Sequence, residues 1–172
     1  MKKIPGVVIG IVKSLNDPRG EGRIELEFPW LAGSPSAWAS VGSLMGGKKR
    51  GVWFMPEIDD EALVAFEQGN FAHPYIVGFL WNGVDKPPVT DPRRRLIRSV
   101  NGHEIEIYDP EIRKGKNGDK GDKGYIRLKD AHGNVVELAN ARITIRSVAT
   151  VEIQAPNIVI NGRPVAPVGP PI

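Results

Sequence analysis

A short repeat in the C-terminal third most strongly limits what this chain can fold into. From Ile143 to Ile160 apolar and polar residues alternate, which is the pattern of β-strands. Residues eight positions apart correspond: Ile143 with Val151 and Val159, Ile145 with Ile153 and Asn161, and Val148 with Pro156 and Pro164. Self-similarity at a fixed period indicates a repetitive architecture in which each repeat stacks on its neighbours.

The period also predicts how many chains take part. A monomeric β-helix needs roughly twenty or more residues for a coil of three faces, so eight residues supply one face. Three chains that each supply one face per layer would close a triangular prism. We therefore predict an obligate homotrimer whose axis is lined by Ile143, Ile145, Val148, Val151, Ile153 and Val159. Ordinary sandwich strands within one chain are the alternative, which leaves the lack of a bulky core unexplained.

Composition predicts an all-β fold. The 172 residues include 20 glycines and 15 prolines along the whole chain, and no stretch has a sustained helical period. The absence of cysteine excludes disulfides, thiolate metal sites and cysteine nucleophiles. No segment approaches the roughly 20 apolar residues that span a bilayer, and we expect the protein to be made and folded in a cytoplasm.

Residues 1–88 are predicted to form a small barrel of about five short strands. The segment GRIELEF (22–28) alternates as a half-buried strand does, whereas ALVAFE (62–67) and YIVGFLW (75–81) indicate more fully buried strands. The large side chains of the core are expected to include Trp30, Trp38, Trp53 and Trp81.

The polar, proline-rich stretch at 82–95 marks a domain boundary, and residues 89–96 are predicted to be the linker between this barrel and a second domain at 97–172. Tyr108 and Tyr125 are the only aromatic residues there, and a domain without large side chains fills a core of its own with difficulty. The segment 115–124 has glycine at every third position, but it is too short and lacks the proline of a collagen helix. We predict a loop rich in Gly, Lys and Asp.

Several short motifs of the first half occur in an order typical of one family. They are Gly-Arg-Ile, Phe-Pro-Trp, Trp-Ala, a Pro-Glu turn, a Phe-x-x-Gly segment and a Pro-x-x-x-Gly strand, at 22–24, 28–30, 38–39, 56–63, 66–70 and 74–78. In these motifs residues 7–88 resemble the barrel domain of phage baseplate assembly protein V. The same domain occurs in VgrG spikes of type VI secretion and in spikes of extracellular contractile injection systems. Residues 97–109 are similar to the first strand of the family's trimeric β-helix.

Two residues depart from the family pattern. Asp59 stands where the family usually has Gly, and Asn70 where it often has Asp. Asp and Asn adopt left-handed backbone conformations more readily than most residues, so we expect both positions to preserve the fold.

The resemblance implies an all-β chain with an N-terminal OB-fold barrel and a C-terminal intertwined trimeric β-helix. It implies a structural central spike of a contractile phage tail or injection system, assembled in the bacterial cytoplasm as part of a virion baseplate or extracellular particle. Such a spike pierces the target envelope mechanically and touches the target membrane transiently. The implied partners are two sister chains, a baseplate hub protein at the N-terminal end and a PAAR-repeat tip protein. The tip protein is expected to contact Val168, Gly169, Pro170, Pro171 and Ile172.

No residues are spaced as a catalytic or metal site, so we expect neither enzyme activity nor a cofactor. His73, His103 and His132 stand singly, and only threefold repetition would group three copies of His103 on an axis. The acidic run at 59–61 is interpreted as a solvated turn rather than an acid–base pair. An enzyme or toxin carrier with its own activity is therefore the least favoured interpretation.

The chief alternative function is binding of single-stranded nucleic acid, for which OB-fold barrels use aromatic platforms and basic grooves. Against it, the aromatic residues occur in apolar strand contexts rather than among Arg and Lys, and the second domain would have no purpose. The basic runs at 48–50 and 93–95 are interpreted as solvated loops, and no nucleic acid is expected as a partner.

The substitution Ile153→Asp tests the predicted axis. Three carboxylates would meet in an apolar interior, where uncompensated charge is strongly destabilising. We expect this variant to lose threefold assembly in size-exclusion chromatography with light scattering. A variant that assembles as the wild type does would show that Ile153 does not face the axis.

Overall fold

The structure, a computed structural model, describes residues 3–111 and 123–164, and the chain divides into two compact units, Met1–Pro87 and Pro88–Ile172. The all-β prediction is confirmed, since the described residues form strands, turns and one short 3-10 turn, Glu67–Gly69. No helix in these ranges is long and apolar enough to cross a membrane. The predicted tip contacts, Val168, Gly169, Pro170, Pro171 and Ile172, and most of the predicted loop at 115–124 lie outside the described residues.

The first unit is a closed barrel of five strands. Its strands and one additional ribbon are β1 Val7–Ser14, β2 Ile24–Glu27, β3 Ser36–Val41, β4 Gly46–Gly47, β5 Arg50–Gly51, β6 Glu61–Phe66 and β7 Pro74–Leu80. The barrel order is β1-β2-β3-β7-β6, with β3 and β7 parallel and the other pairs antiparallel. The strands β4 and β5 pair only with each other.

The barrel interior is aliphatic with a phenylalanine cluster, so the predicted tryptophan core is wrong. The largest fully buried apolar side chains are Phe28, Ile24, Leu26, Ile76, Val12 and Val64. The Phe28 ring packs on Phe66 and Phe71, with centroids 5.5 and 5.4 Å away. Trp30, Trp53 and Trp81 are 47%, 70% and 69% exposed, because all three lie outside the strands that form the barrel.

Strands β6 and β7 are half-buried, so the prediction that they are buried more fully than the strand at 22–28 is wrong. In β6, Ala62, Val64 and Phe66 are buried while the residues between them are partly exposed, and β7 alternates similarly from Pro74 to Val77. A closed barrel has one inside, so an uninterrupted apolar strand must place every second side chain outside. The outside of these strands is therefore apolar and uncovered within the described barrel.

The two departures from the family pattern differ in backbone conformation. Asp59 has φ of 74°, the left-handed conformation that Asp adopts more readily than most residues. Asn70 has φ of −83° and does not use this conformation. The left-handed residues of this turn are Gln68 and Gly69, with φ of 48° and 80°, which reverse the chain before Asn70 is reached.

The second unit contains a five-stranded antiparallel meander and a short ribbon. The strands are β8 Arg94–Arg98, β9 Glu104–Tyr108, β10 Tyr125–Lys129, β11 Val135–Ala139, β12 Arg142–Arg146, β13 Val159–Ile160 and β14 Arg163–Pro164. In the meander each strand from β8 to β12 pairs with its neighbour in sequence. The strands β13 and β14 pair with each other.

The repeat is only partly strand within one chain. Strand was predicted from Ile143 to Ile160, but the described residues 147–158 belong to no strand and to no sheet of their own chain. A strand exists only where a neighbour completes its hydrogen-bond ladder, so this part of the repeat lacks the neighbours that a prism of three chains would supply. The trimeric β-helix therefore stays a prediction.

The substitution Gly10→Ala tests how tightly the barrel interior is packed. A Cβ there would lie 3.1 Å from Phe28 and 3.3 Å from Leu26, and overpacking a core costs about 1–3 kcal/mol. Gly78→Ala in the same barrel is the matched control, because its Cβ meets nothing within 4 Å and it stiffens the unfolded chain equally. We expect the urea midpoint of the full chain to fall for Gly10→Ala relative to this control. Equal midpoints would contradict tight packing at Gly10.

Candidate functional site

One face of the meander is apolar along all five strands. The strand register places Ile97, Ile105, Leu128, Val136 and Ile145 in a first row, and Ile107, Ile126, Leu138 and Ile143 in a second row that ends at Arg95. Neighbouring strands lie about 4.7–4.9 Å apart, so each row runs nearly 20 Å across the strands. We call these nine side chains the aliphatic rows.

The aliphatic rows are largely uncovered. All of these residues except Val136 are between 40% and 70% exposed, and Ile143 and Ile145 at the sheet edge are among the most exposed. Single exposed apolar residues are normal on protein surfaces, but a contiguous patch of this kind marks an interaction surface. The aliphatic rows therefore resemble one side of a hydrophobic core whose other side is not supplied by the described residues.

The opposite face of the same sheet is a ladder of ion pairs. Glu106 stands at its centre, 1% exposed, and accepts hydrogen bonds from Arg94 and from the Tyr125 hydroxyl. Arg127 lies 3.8 Å from the second Glu106 oxygen and donates to Glu137 at 2.6–2.8 Å. A parallel set joins Glu104 to Arg98 and Lys129 at 3.5 and 3.8 Å.

The ladder fixes the charge state of its central carboxylate. Burial raises the pKa of the Glu106 carboxyl, but the Arg94 and Tyr125 hydrogen bonds and the Arg127 charge outweigh burial and hold that pKa below its ordinary value. The Arg127 guanidinium also lies over the Tyr125 ring, 3.9 Å from its centroid, and this cation–π contact helps to hold the Arg127 side chain in the ladder. This face is suited to solvent, so the aliphatic face is the one that needs a partner.

The predicted axis residues fall into two groups in the structure. Ile143 and Ile145 are members of the aliphatic rows, and Val151 lines the same open depression as Ile97 and Ile145. Val148, Ile153 and Val159 lie outside the meander and are 53–70% exposed. Their common position on an axis stays a prediction.

Sequence reasoning missed seven residues of the aliphatic rows, because it searched for an eight-residue period and stopped at Ile143. Two-residue alternation of apolar and polar residues in EIEIY and YIRLK carried the signal. The missed residues are Ile97, Ile105, Ile107, Ile126, Leu128, Val136 and Leu138.

The histidines do not converge within the described parts of the chain. His73 Nδ1 lies 3.0 Å from a Glu67 oxygen, and His103 Nδ1 accepts the Ala131 N–H at 3.3 Å. His132 lies in a turn where its N–H donates to Asp130 at 3.0 Å. Residues 3–111 and 123–164 contain no group of three or more His, Asp or Glu side chains placed to hold a metal ion.

Two aromatic residues lie outside the apolar strand context that was expected for the aromatic residues of the first unit. Trp53 and Phe54 are not in an apolar strand context but lie in the loop after β5, 70% and 63% exposed, close in sequence to the basic run Lys48–Arg50. By contrast, Trp38 is half-buried under Arg23, whose guanidinium is 5.7 Å from its ring and pairs with Asp17 at 2.7 Å.

Comparison with known proteins identifies the barrel. Residues 8–81 match the family model of the type VI secretion system/phage-baseplate injector OB domain. The chain is 28% identical over 113 residues to the actin cross-linking toxin VgrG1 of Vibrio cholerae, which covers 58% of the chain and 10% of that protein. It is 31% identical over 84 residues to the type VI secretion system spike protein VgrG5 of Pseudomonas aeruginosa, covering 46% and 10%.

A further relative is the spike protein VgrG2a of Pseudomonas aeruginosa, 22% identical over 90 residues, covering 49% of the chain and 11% of that protein. The chain thus spans about a tenth of the length of each of these curated relatives. The Vibrio match covers more of the chain than the 87 residues of the first unit, so it extends into the second unit. The resemblance to baseplate V and VgrG-like proteins is confirmed.

The substitution Glu106→Gln tests the ion ladder. Because the folded pKa lies below the unfolded one, the carboxylate stabilises the fold above about pH 4.3, and this contribution is lost as the pH falls through the folded pKa. We expect Glu106→Gln to have a lower urea midpoint than the wild type at neutral pH and a smaller deficit near pH 3. The control is Glu152→Gln, which neutralises an exposed carboxylate outside the meander. A deficit that does not shrink on acidification would contradict this role of Glu106.

Proposed function

Residues 8–81 belong to the OB-domain family of type VI secretion and phage-baseplate injectors, and we propose that the chain is a homotrimeric central spike of such a contractile machine. The observation that carries this proposal is the pair of aliphatic rows, which the described residues of one chain leave 40–70% exposed at eight of nine positions. The family match and the names of the relatives as spike proteins support the same role.

The size of the exposed face supports obligate assembly. A fully buried aliphatic side chain contributes about 1.5–3 kcal/mol, so covering eight half-exposed ones is worth on the order of 10 kcal/mol per chain. That is comparable with the entire stability of a typical domain. The second unit would therefore fold and assemble in one step, and a folded monomer would not accumulate.

Threefold closure is supported by the width of the face and by the repeat that follows it. Two side chains per strand give a narrow strip, and three such strips enclose a triangular interior with the ion ladders outside. Beyond Arg146 the eight-residue period continues, while residues 147–158 join none of the sheets formed by residues 3–111 and 123–164. Strands supplied by two sister chains would complete this part as an intertwined trimeric β-helix, with Val148, Val151, Ile153 and Val159 on the axis.

The proposed mechanism is mechanical. Contraction of a sheath would drive the rigid second unit through the target envelope, and bending is resisted because it would break ladder hydrogen bonds on three faces together. In this role the chain needs no catalytic residue, cofactor or nucleic acid. Its partners would be a baseplate hub at the N-terminal end, a PAAR-repeat tip protein at the C-terminal end and, transiently, the target membrane. Assembly would take place in the bacterial cytoplasm, before incorporation into a virion or an extracellular particle.

Single-stranded nucleic-acid binding is the second candidate, favoured by the exposed Trp53 and Phe54 beside a basic run. It leaves the aliphatic rows without a role. A gel shift with labelled oligonucleotides separates the two, because tight, salt-sensitive binding by a chain that does not form trimers would support the second candidate.

Two adjacent residues of β12 provide the test of the trimer. Ile145 belongs to the aliphatic rows, whereas Thr144 faces the ion ladder opposite Glu137. Ile145→Asp would place three carboxylates in the proposed interior, while Thr144→Asp adds the same charge outside. We expect light scattering to give a trimer mass for the wild type and Thr144→Asp, and loss of the trimer for Ile145→Asp.

Two results would contradict the proposal. A wild-type chain with the mass of a folded monomer would remove the need for sister chains. A wild-type dimer would show that two sheets cover each other face to face, as in a sandwich, rather than closing around a threefold axis.

A further inference from the structure

A first uncovered surface of the barrel is the outward side of β1, β6 and β7, which we call the outer wall. The strand register places Val7, Ala65 and Tyr75 in one row and Ile9 with Leu63 in the next. Val77 lies beside them at an irregularity of β7. Val7, Ile9, Tyr75 and Val77 are 43–57% exposed, so the outer wall is apolar and open within the first unit.

The outer wall ends in an acidic border. Glu61 begins β6 in the row after Ile9 and Leu63, and Asn82 Nδ2 donates to Glu61 at 3.0 Å and to Asp85 at 3.3 Å. The turn before β6 is fixed to the end of β1 because the Asp59 N–H donates to the Val12 carbonyl at 2.9 Å. The border consists of Glu57, Asp59, Asp60, Glu61 and Asp85.

A second uncovered surface, the basic ribbon, is formed by residues 44–54 around β4 and β5. Lys48, Lys49 and Arg50 form its basic tip and are exposed. The flanks are apolar and face solvent: Leu44 is 95% exposed, Met45 50%, Trp53 70% and Phe54 63%.

The basic ribbon is held in place rather than extending freely. The Val52 N–H donates to the Met45 carbonyl at 3.0 Å, and Ser43 Oγ lies 2.7 Å from the Val52 carbonyl oxygen. One edge of the Trp53 ring lies so close to Gly22 that a Cβ there would be 2.8 Å from it. An apolar ribbon with a charged tip is thus presented in a defined position on the barrel.

Symmetry gives these two surfaces a common explanation. The contact between neighbours around a threefold axis is heterologous, so each chain must present two different surfaces that complement each other. The outer wall is apolar with an acidic end, and the basic ribbon is apolar with a cationic end. We propose that in the trimer the basic ribbon of each chain docks on the outer wall of the next, with its tip at the acidic border.

This inference rests on the threefold assembly proposed above and adds a contact that holds neighbouring barrels together. A hub protein on the outer wall would leave the ribbon's apolar flanks unexplained. Nucleic acid on the ribbon would leave the outer wall uncovered. Its phosphates would contact the basic tip but would not explain the exposed apolar side chains of Leu44 and Met45. A second copy satisfies both surfaces at once, and the acidic border neutralises the tip.

The chain contains no cysteine, so introduced cysteines report contacts without interference. Full-length Lys48→Cys and Glu57→Cys chains with different affinity tags are co-expressed, purified through both tags and treated with a short bis-maleimide. Because each chain carries one cysteine, a covalent product with both tags can only join two chains. The control partner is Ala72→Cys, in the turn between β6 and β7 at the other end of the outer wall.

We expect a covalent two-chain product from Lys48→Cys with Glu57→Cys, and none with Ala72→Cys or from either single variant alone. A trimer by light scattering without this product overturns the inference and leaves the proposed spike intact. A wild-type protein that does not form a trimer overturns both this inference and the proposed spike. A product from Lys48→Cys alone, or oligonucleotide binding that Lys48→Cys abolishes in the trimer, would assign the ribbon to another contact and overturn the inference.

Discussion

Two aliphatic rows on the sheet of the second unit need a cover that the described residues of one chain do not provide, and the proposed assembly follows from that need. The rows arise because alternate residues of five consecutive strands fall on one side of the sheet, where nearly all are Ile, Leu or Val, while most of the Arg, Glu and Lys residues fall on the other side. Water is tolerated on the charged side, because Glu106 and Glu104 already have their partners. It is not tolerated on the aliphatic side, where burial provides the dominant favourable energy.

The two units depend on different sources of stability. The barrel closes around its own interior, with Phe28, Ile24 and Leu26 fully buried, and has no need of a partner in order to fold. Among the described residues of the second unit one apolar side chain is buried, Val135, and the ion ladder is built around the buried Glu106. One chain thus joins a barrel with a filled interior to a sheet whose aliphatic face its described residues leave open.

The sequence was sufficient for the fold class, the barrel and the family, because alternation, turn residues and the ordered motifs are local signals. The sequence did not predict the burial of the Trp side chains. Strand ends and strand interiors look alike in a linear pattern, and only the closed barrel determines which side chains lie inside. The sequence also missed most of the aliphatic rows: the register that aligns Ile105 with Leu128 depends on pairing across a long connection. The eight-residue repeat identified Ile143 and Ile145 but not their neighbours in space, and it predicted strand at 147–158 where a single chain forms none.

The central claim is that three chains share one interior, and native mass spectrometry of the unmodified full-length protein tests it most directly. The account predicts one dominant species with three times the mass of the chain, persisting on dilution to nanomolar concentration because folding and assembly of the second unit are coupled. A folded species with the mass of one chain, or a dominant two-chain species, would contradict it.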